Sequence, residues 1–150
     1  MPETRDLARE LNRGTSRLLM QQGFAALAEV ALANGRRADL LALGPDGEIW
    51  IVEIKSSAAD LRADRKWPDY RDFCDRLYFA VAAEFDAGLI PADCGLIRAD
   101  AWGAAILREA PAMPLSAPRR RAVTLRFALV AGQRLTRLLD PDFAAAGELR

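Results

Sequence analysis

A chain of 150 residues is long enough to bury a core without disulfide or metal staples, and one domain is expected. With 51% apolar and 28% charged residues and zero net charge, it reads as a globular protein. It has no global field to attract nucleic acid, so any basic surface must be local. There is no histidine, which excludes Ser-His-Asp triads, zinc peptidases of the histidine type and imidazole acid–base chemistry. Catalysis would then fall to carboxylates, Lys, Arg, Ser, Tyr or a bound metal.

No apolar run is long enough to cross a membrane, and the N-terminus, MPETRDLARELNRG, lacks the apolar centre of a signal peptide. A cytoplasmic protein is expected. Cys74 and Cys94 lack metal-ligand spacing and read as buried free thiols. Of the 21 cationic side chains only Lys55 and Lys66 are lysine. Arginine is a fixed planar fork and lysine a compact, tunable point charge, so the two lysines stand out.

Along the chain, residues 5–22 have helical spacing of leucines, with Gly14 weakening the middle and Gly23 as a stop. Residues 25–32 read as a strand with Glu29 inside it. Residues 37–43 and 48–55 are two strands around GPDG. Ser57 caps a short helix over 58–65, and Pro68 opens another near 68–75. RLYFAVA, 76–82, is a buried strand, and 94–110 a further hairpin. A Pro-rich connector follows, then a long amphipathic helix over 117–138 capped by Ser116. One domain over 1–140 and a flexible tail over 141–150 are expected. The helical crossover makes strands 48–55 and 76–82 parallel, while the short turns before them make antiparallel pairs. The fold class is therefore α/β (α+β): a mixed central sheet flanked by helices on both faces, plus a C-terminal hairpin and long helix.

The stretch RRADLLALGPDGEIWIVEIKSS carries the most information. GPDG suits a three-residue loop, Pro45-Asp46-Gly47, with Gly47 left-handed. That loop pairs Gly44 with Glu48, and counting back pairs Asp39 with Glu53 and Arg37 with Lys55. Opposed residues share a face with Cβ atoms ~5 Å apart. A loop one residue longer or shorter would send the two acids to opposite faces. Leu41, Leu43, Ile49 and Ile51 fall on the acids' face; Leu40, Trp50, Val52 and Ile54 fall on the other. Two carboxylates so close at the edge of a core repel unless a cation joins them. That cation is either a side chain (Lys55, Arg36 or Arg37) or a hard metal such as Mg2+. Geometry alone leaves a simply ion-paired strand end equally open.

Asp39 followed by Glu53-Ile54-Lys55 across a hairpin resembles the PD-(D/E)XK nuclease motif, with Ala38 where that motif has proline. The element order over residues 5–82 resembles the superfamily's restriction-endonuclease-like αβββαβ core. GRRADLLAL, EIWIVEIKSS, DRKWPDY and CDRLYFAV resemble the MmcB-like family of DNA-repair endonucleases over most of the chain. The resemblance implies a metal-dependent DNA endonuclease of repair, associated with the nucleoid. Asp39 and Glu53 would ligate Mg2+ or Mn2+ with the Ile54 backbone carbonyl as a third ligand. Lys55 would orient the attacking water or stabilise the phosphorane. DNA would be recognised by structure or lesion rather than sequence, since no groove-reading module stands out. The superfamily often cuts as a homodimer, which the sequence does not fix.

Secondary candidates follow. Glu29 faces with Leu27 and Ala31 and is either an outer ligand or a partner of Arg36 or Arg37. Glu10 resembles an accessory acid of the superfamily's first helix, or is a solvated charge. Lys66 takes the place of a phosphate contact on the segment after the core strand, where Tyr70 is a further accessory and Trp67 reads equally as core. Arg36, Arg37, Lys66, Arg119, Arg120 and Arg121 are DNA-binding candidates. Cations at the start of a helix oppose its dipole, so the last three are answered by phosphates or by acids from 58–75, or form a plain solvated face. The rival to a nuclease is a non-catalytic nucleic-acid-binding or assembly module on the same fold.

Overall fold

The computed structural model describes residues 4–143. Its elements run α1 (Thr4–Gln21), β1 (Ala25–Ala31), β2 (Arg37–Leu43), β3 (Ile49–Ile54), α2 (Ala58–Ala63), a 3-10 segment (Trp67–Phe73), β4 (Arg76–Val81), β5 (Gly95–Ala99), β6 (Ala104–Arg108) and α3 (Ala117–Leu139). Residues 144–150 of the expected tail lie outside the described residues.

Six strands form one sheet in the order β1-β2-β3-β4-β5-β6. β1-β2 and β2-β3 are antiparallel, β3-β4 and β4-β5 parallel, and β5-β6 antiparallel. The expected αβββαβ order of a restriction-endonuclease-like core is present. The parallel β4-β5 pair was not legible in the sequence, because its connection holds only a single 3-10 turn, Ala87–Leu89.

The hairpin turn has three residues. Gly47 N–H donates to the Gly44 carbonyl (3.0 Å), Gly44 N–H to that of Glu48 (2.8 Å), and Gly47 has φ +86°, which glycine tolerates without strain. Leu43 therefore pairs with Ile49 and Leu40 with Val52. This register sorts the core as expected. Leu41, Ile49, Ile51, Phe79, Val81 and Leu96 pack under α2, the 3-10 segment and α3. Leu40, Ala42, Trp50, Val52, Tyr78 and Ile97 pack with Leu18 and Leu19 of α1 on the other face. Each fully buried Leu, Ile or Phe contributes about 1.5–3 kcal/mol of transfer free energy, so a slip exposing one face is prohibitive.

Ser57 and Ser116 cap α2 and α3, accepting from the Asp60 and Arg119 N–H groups. The helix expected near 68–75 is a 3-10 segment instead, and its start at Trp67-Pro68 still follows the proline rule. Gly14 does more than weaken α1: a Cβ there would overlap the carbonyl oxygens of Asp100 and Gly103, so glycine lets the helix rest on the β5-β6 turn. The expected alternation of β1 fails at Glu29, which has φ 51°. Ala28 packs with the α1 face and Val30 with the opposite one, so the left-handed residue inserts a flip between them.

Candidate functional site

The β2-β3 ladder ends at Leu40 and Val52, and beyond it side chains replace main-chain pairing. Asp39 N–H donates to Glu53 Oε2 (2.9 Å), and Ile54 N–H donates to Asp39 Oδ2 (2.8 Å). The two strands are thus bridged by the carboxylates. Both acids lie beside Tyr70, which packs in the cluster of Leu41, Ile49 and Ile51, so they stand on the face expected from the three-residue turn.

Glu53 is only 3% exposed. Burial and the neighbouring Asp39 charge push its carboxyl up to about 8. Burial also raises Asp39 above the ordinary carboxylate range, against the hydrogen bond from Ile54. The pair resists holding two negative charges, and a cation would relieve it.

Lys55 is buried, and its N–H donates to the Ala80 carbonyl of β4 (3.1 Å). Its Nζ lies 2.6 Å from Asp64 Oδ2 and 4.0 Å from Asp60. Asp64 Oδ1 also accepts from the Lys66 and Trp67 N–H groups, at 2.8 and 3.2 Å. Partial burial raises the Asp64 carboxyl, but the Lys55 and backbone hydrogen bonds outweigh it and hold the group below the usual range. Asp64 thus ties the lysine to the crossover. Sequence reasoning missed it, although Asp60 and Asp64 stand one helical turn apart just past Lys55. Tyr70 OH donates to the Arg37 carbonyl (2.8 Å). Burial and the Glu53 and Asp39 charges raise its pKa.

The other candidates are placed as follows. Arg36 pairs with Asp69 (3.1 Å) rather than with Glu29 or the acid pair. Arg37 is exposed, as is Lys66. Glu29 is exposed at the strand flip, and its carbonyl accepts from Arg134 (3.0 Å). Glu10 sits on α1, across the sheet from the acids. Arg119 stacks over Phe73 (4.3 Å to the ring), and Arg121 is exposed. Arg120 is answered by an acid of the 58–75 region: its two terminal nitrogens each meet Asp75 at 2.6 Å. That pair is anchored at Ile49, the other end of β3, roughly 13 Å from Glu53 at ~3.3 Å per residue.

Among the described residues no group of three or more His, Cys, Asp or Glu side chains is arranged to hold a metal ion. The donors at hand are two carboxylates and the backbone oxygens beside them. That set fits Mg2+ or Mn2+, which prefer oxygen and take one or two carboxylates together with substrate phosphates. No described helix is long and apolar enough to cross a membrane.

The fold and site define a mixed-sheet α/β protein with two opposed carboxylates and a tethered lysine at an open strand end. The chain belongs to the DNA repair protein MmcB-like family, whose model matches residues 3–142. A protein of unknown function from Silicibacter pomeroyi is similar in structure at TM-score 0.90 and 45% identity, over 94% of this chain and 97% of that one. A repair endonuclease from Pyrococcus abyssi is a distant match, at TM-score 0.37 and 16% identity, over 59% of this chain and 42% of that one. No curated protein matches.

Proposed function

We propose that this protein is a metal-dependent DNA endonuclease of repair, hydrolysing phosphodiester bonds at Asp39, Glu53 and Lys55. The observation that carries the reading is the meeting of Asp39 and Glu53 on one face, each bonded to the other strand's backbone (2.9 and 2.8 Å), with Lys55 on the same strand end. Membership of a DNA-repair family supports DNA as the substrate.

Asp39, Glu53 and the Ile54 carbonyl are the residues that would hold Mg2+ or Mn2+. Such an ion supplies Lewis-acid polarisation of the phosphate and a bound water of lowered pKa. The protein's own contribution is positioning. The reciprocal backbone bonds fix both carboxylates, so little reorganisation accompanies ligation. Lys55 has three N–H donors; Asp64 engages one, leaving others to hold the attacking water or the oxygens of the phosphorane. Tyr70 is buried beside both carboxylates.

The test is incubation of purified protein with branched, nicked, single-stranded and duplex DNA, with Mg2+, Mn2+ or EDTA. Cleavage of at least one substrate with metal, absent in EDTA and in Glu53→Ala, is expected. No cleavage of any of them, or cleavage undiminished in Glu53→Ala, contradicts the reading and leaves a non-catalytic binding module.

A further inference from the structure

Two features at the site end of the sheet are unused by this chemistry. The first is Arg98. β3, β4 and β5 are parallel, so their C-terminal ends lie together. Glu53 pairs with Phe79, and Phe79 with Leu96, all on the acid face; one step on, Val81 pairs with Arg98. Arg98 therefore stands in the row of Lys55, two strand spacings (~10 Å) away and on the same face. It is half-buried, and its Nε is buried with no hydrogen-bond partner among the described residues. No ion pair joins it to a described acid. A buried arginine donor left unpaired is costly unless something outside the chain answers it. An oxyanion matching its planar fork, such as a phosphodiester, would do so.

The second is Trp102, four residues on, in the β5-β6 turn. It is 69% exposed, where an aromatic ring contributes little to a core. The turn is held firmly: Asp100 Oδ1 accepts from the Trp102 and Gly103 N–H groups at 2.8 and 3.0 Å. Gly14 lets α1 approach closely, which brings Arg13 and Arg17 to the indole, 4.9 and 5.5 Å from its centre. Arg17 also donates to the Trp102 carbonyl (3.2 Å). These arginines belong to α1, so the indole stands on the α1 side of the sheet's end, across from the acid face. An exposed ring beside two exposed arginines suits stacking of an unpaired base with its charged backbone alongside. Paired bases offer no free face to such a ring.

We propose that a substrate strand passes from the Asp39–Glu53–Lys55 centre over the C-terminal ends of β4 and β5, where Arg98 binds a backbone phosphate on the acid face and Trp102 stacks an unpaired base on the α1 side. The substrate class is single-stranded DNA, or DNA carrying a single-stranded segment. This rests on the nuclease reading of the centre.

The test reads binding in EDTA, without turnover, by fluorescence anisotropy of a labelled single strand and its duplex. The wild type binds the single strand more tightly. Trp102→Ala weakens single-strand binding about tenfold, the scale of one stacked base, and leaves duplex binding nearly unchanged. Trp102→Phe retains most of it. Arg98→Gln weakens binding of both and lowers the salt slope by about one phosphate contact. Trp102→Ala removes the larger part of the single-strand quenching of tryptophan fluorescence, since Trp50 is buried and Trp67 half-buried. A preference for duplex, or single-strand affinity unaltered in both Trp102→Ala and Arg98→Gln, overturns the proposal. If binding responds as expected but Mg2+ and Mn2+ never give cleavage, the track stands and the nuclease reading fails. If the wild type cleaves and both variants cleave single strands as well as it does, the nuclease reading stands and the track fails.

Discussion

β3 carries a buried acid at each end, and the two differ in how they are answered. At the N-terminal end, Asp75 accepts from the Ile49 and Leu115 N–H groups (2.7 and 2.8 Å) and from both terminal nitrogens of Arg120 (2.6 Å each). Burial raises its carboxyl, but these bonds outweigh burial and hold it below the usual range. At the C-terminal end, Glu53 accepts from the Asp39 N–H and Asp39 from the Ile54 N–H, and the nearest cation, Lys55, is held by Asp64 instead. Glu53 and Asp75 are almost equally buried, at 3% and 4% exposure. Glu53 nonetheless lies deeper in the fold than Asp75, and their partners separate them further. A saturated acid fastens the connector and α3 to the sheet, whereas an unsaturated pair keeps lone pairs for a ligand.

Matched substitutions break the comparison most sharply. Asp75→Ala leaves the Ile49 and Leu115 N–H groups without their acceptor and frees Arg120, and is expected to cost about 2–3 kcal/mol, measured by urea denaturation, with kcat per folded molecule little changed. Glu53→Gln is expected to lower DNA cleavage by more than about a hundredfold, the upper scale at which even outer partners of metal ligands act. It should leave metal-free stability equal or higher, because it removes a costly buried ionisation. A large stability loss in Glu53→Gln would make the two ends alike. Lys55→Arg keeps the charge but not the compact ammonium, so cleavage is expected to fall with it. Asp64→Asn loosens Lys55 while an amide oxygen can still accept from Lys66 N–H; about a tenfold loss of kcat with near-normal melting is expected.

The last contrast is in pH. Glu53 rises from 4.5 to about 8 in the fold, so between those values the unfolded chain has released a proton that the folded chain retains. The stability of metal-free protein then falls as pH rises across that window, and Glu53→Gln flattens the slope. Asp75 acts with the opposite sign. Its contribution is complete above its unfolded value of 3.8 and is lost as pH falls through its lower folded value. Thermal melts in EDTA separate the two: Glu53 sets the slope between pH 4.5 and about 8, and Asp75 the loss below 3.8.

The acid pair was legible in the sequence because GPDG fixes a three-residue loop, and a period of two then carries register from Gly47 back to Asp39. The two apolar faces followed from the same count. What hid from the sequence depends on contacts distant along the chain. The Lys55–Asp64 tether depends on how the crossover folds back. Arg98 reaches the row of Lys55 only through the β4-β5 parallel pairing, whose connection has no helix to announce it. Glu29 broke the expected alternation because one left-handed residue suffices to flip a strand, and glutamate gives no sign of it. Arg120 lay in a run of three arginines that sequence treats alike, until the fold gives one of them to Asp75.

The most direct measurement is a Mn2+ titration followed by electron paramagnetic resonance on the wild type, Asp39→Asn, Glu53→Gln and folded Asp75→Asn. The account predicts one bound ion in the wild type and in Asp75→Asn, and its loss in Asp39→Asn and Glu53→Gln. Absence of bound Mn2+ in the wild type, or equal binding in all four proteins, would contradict it.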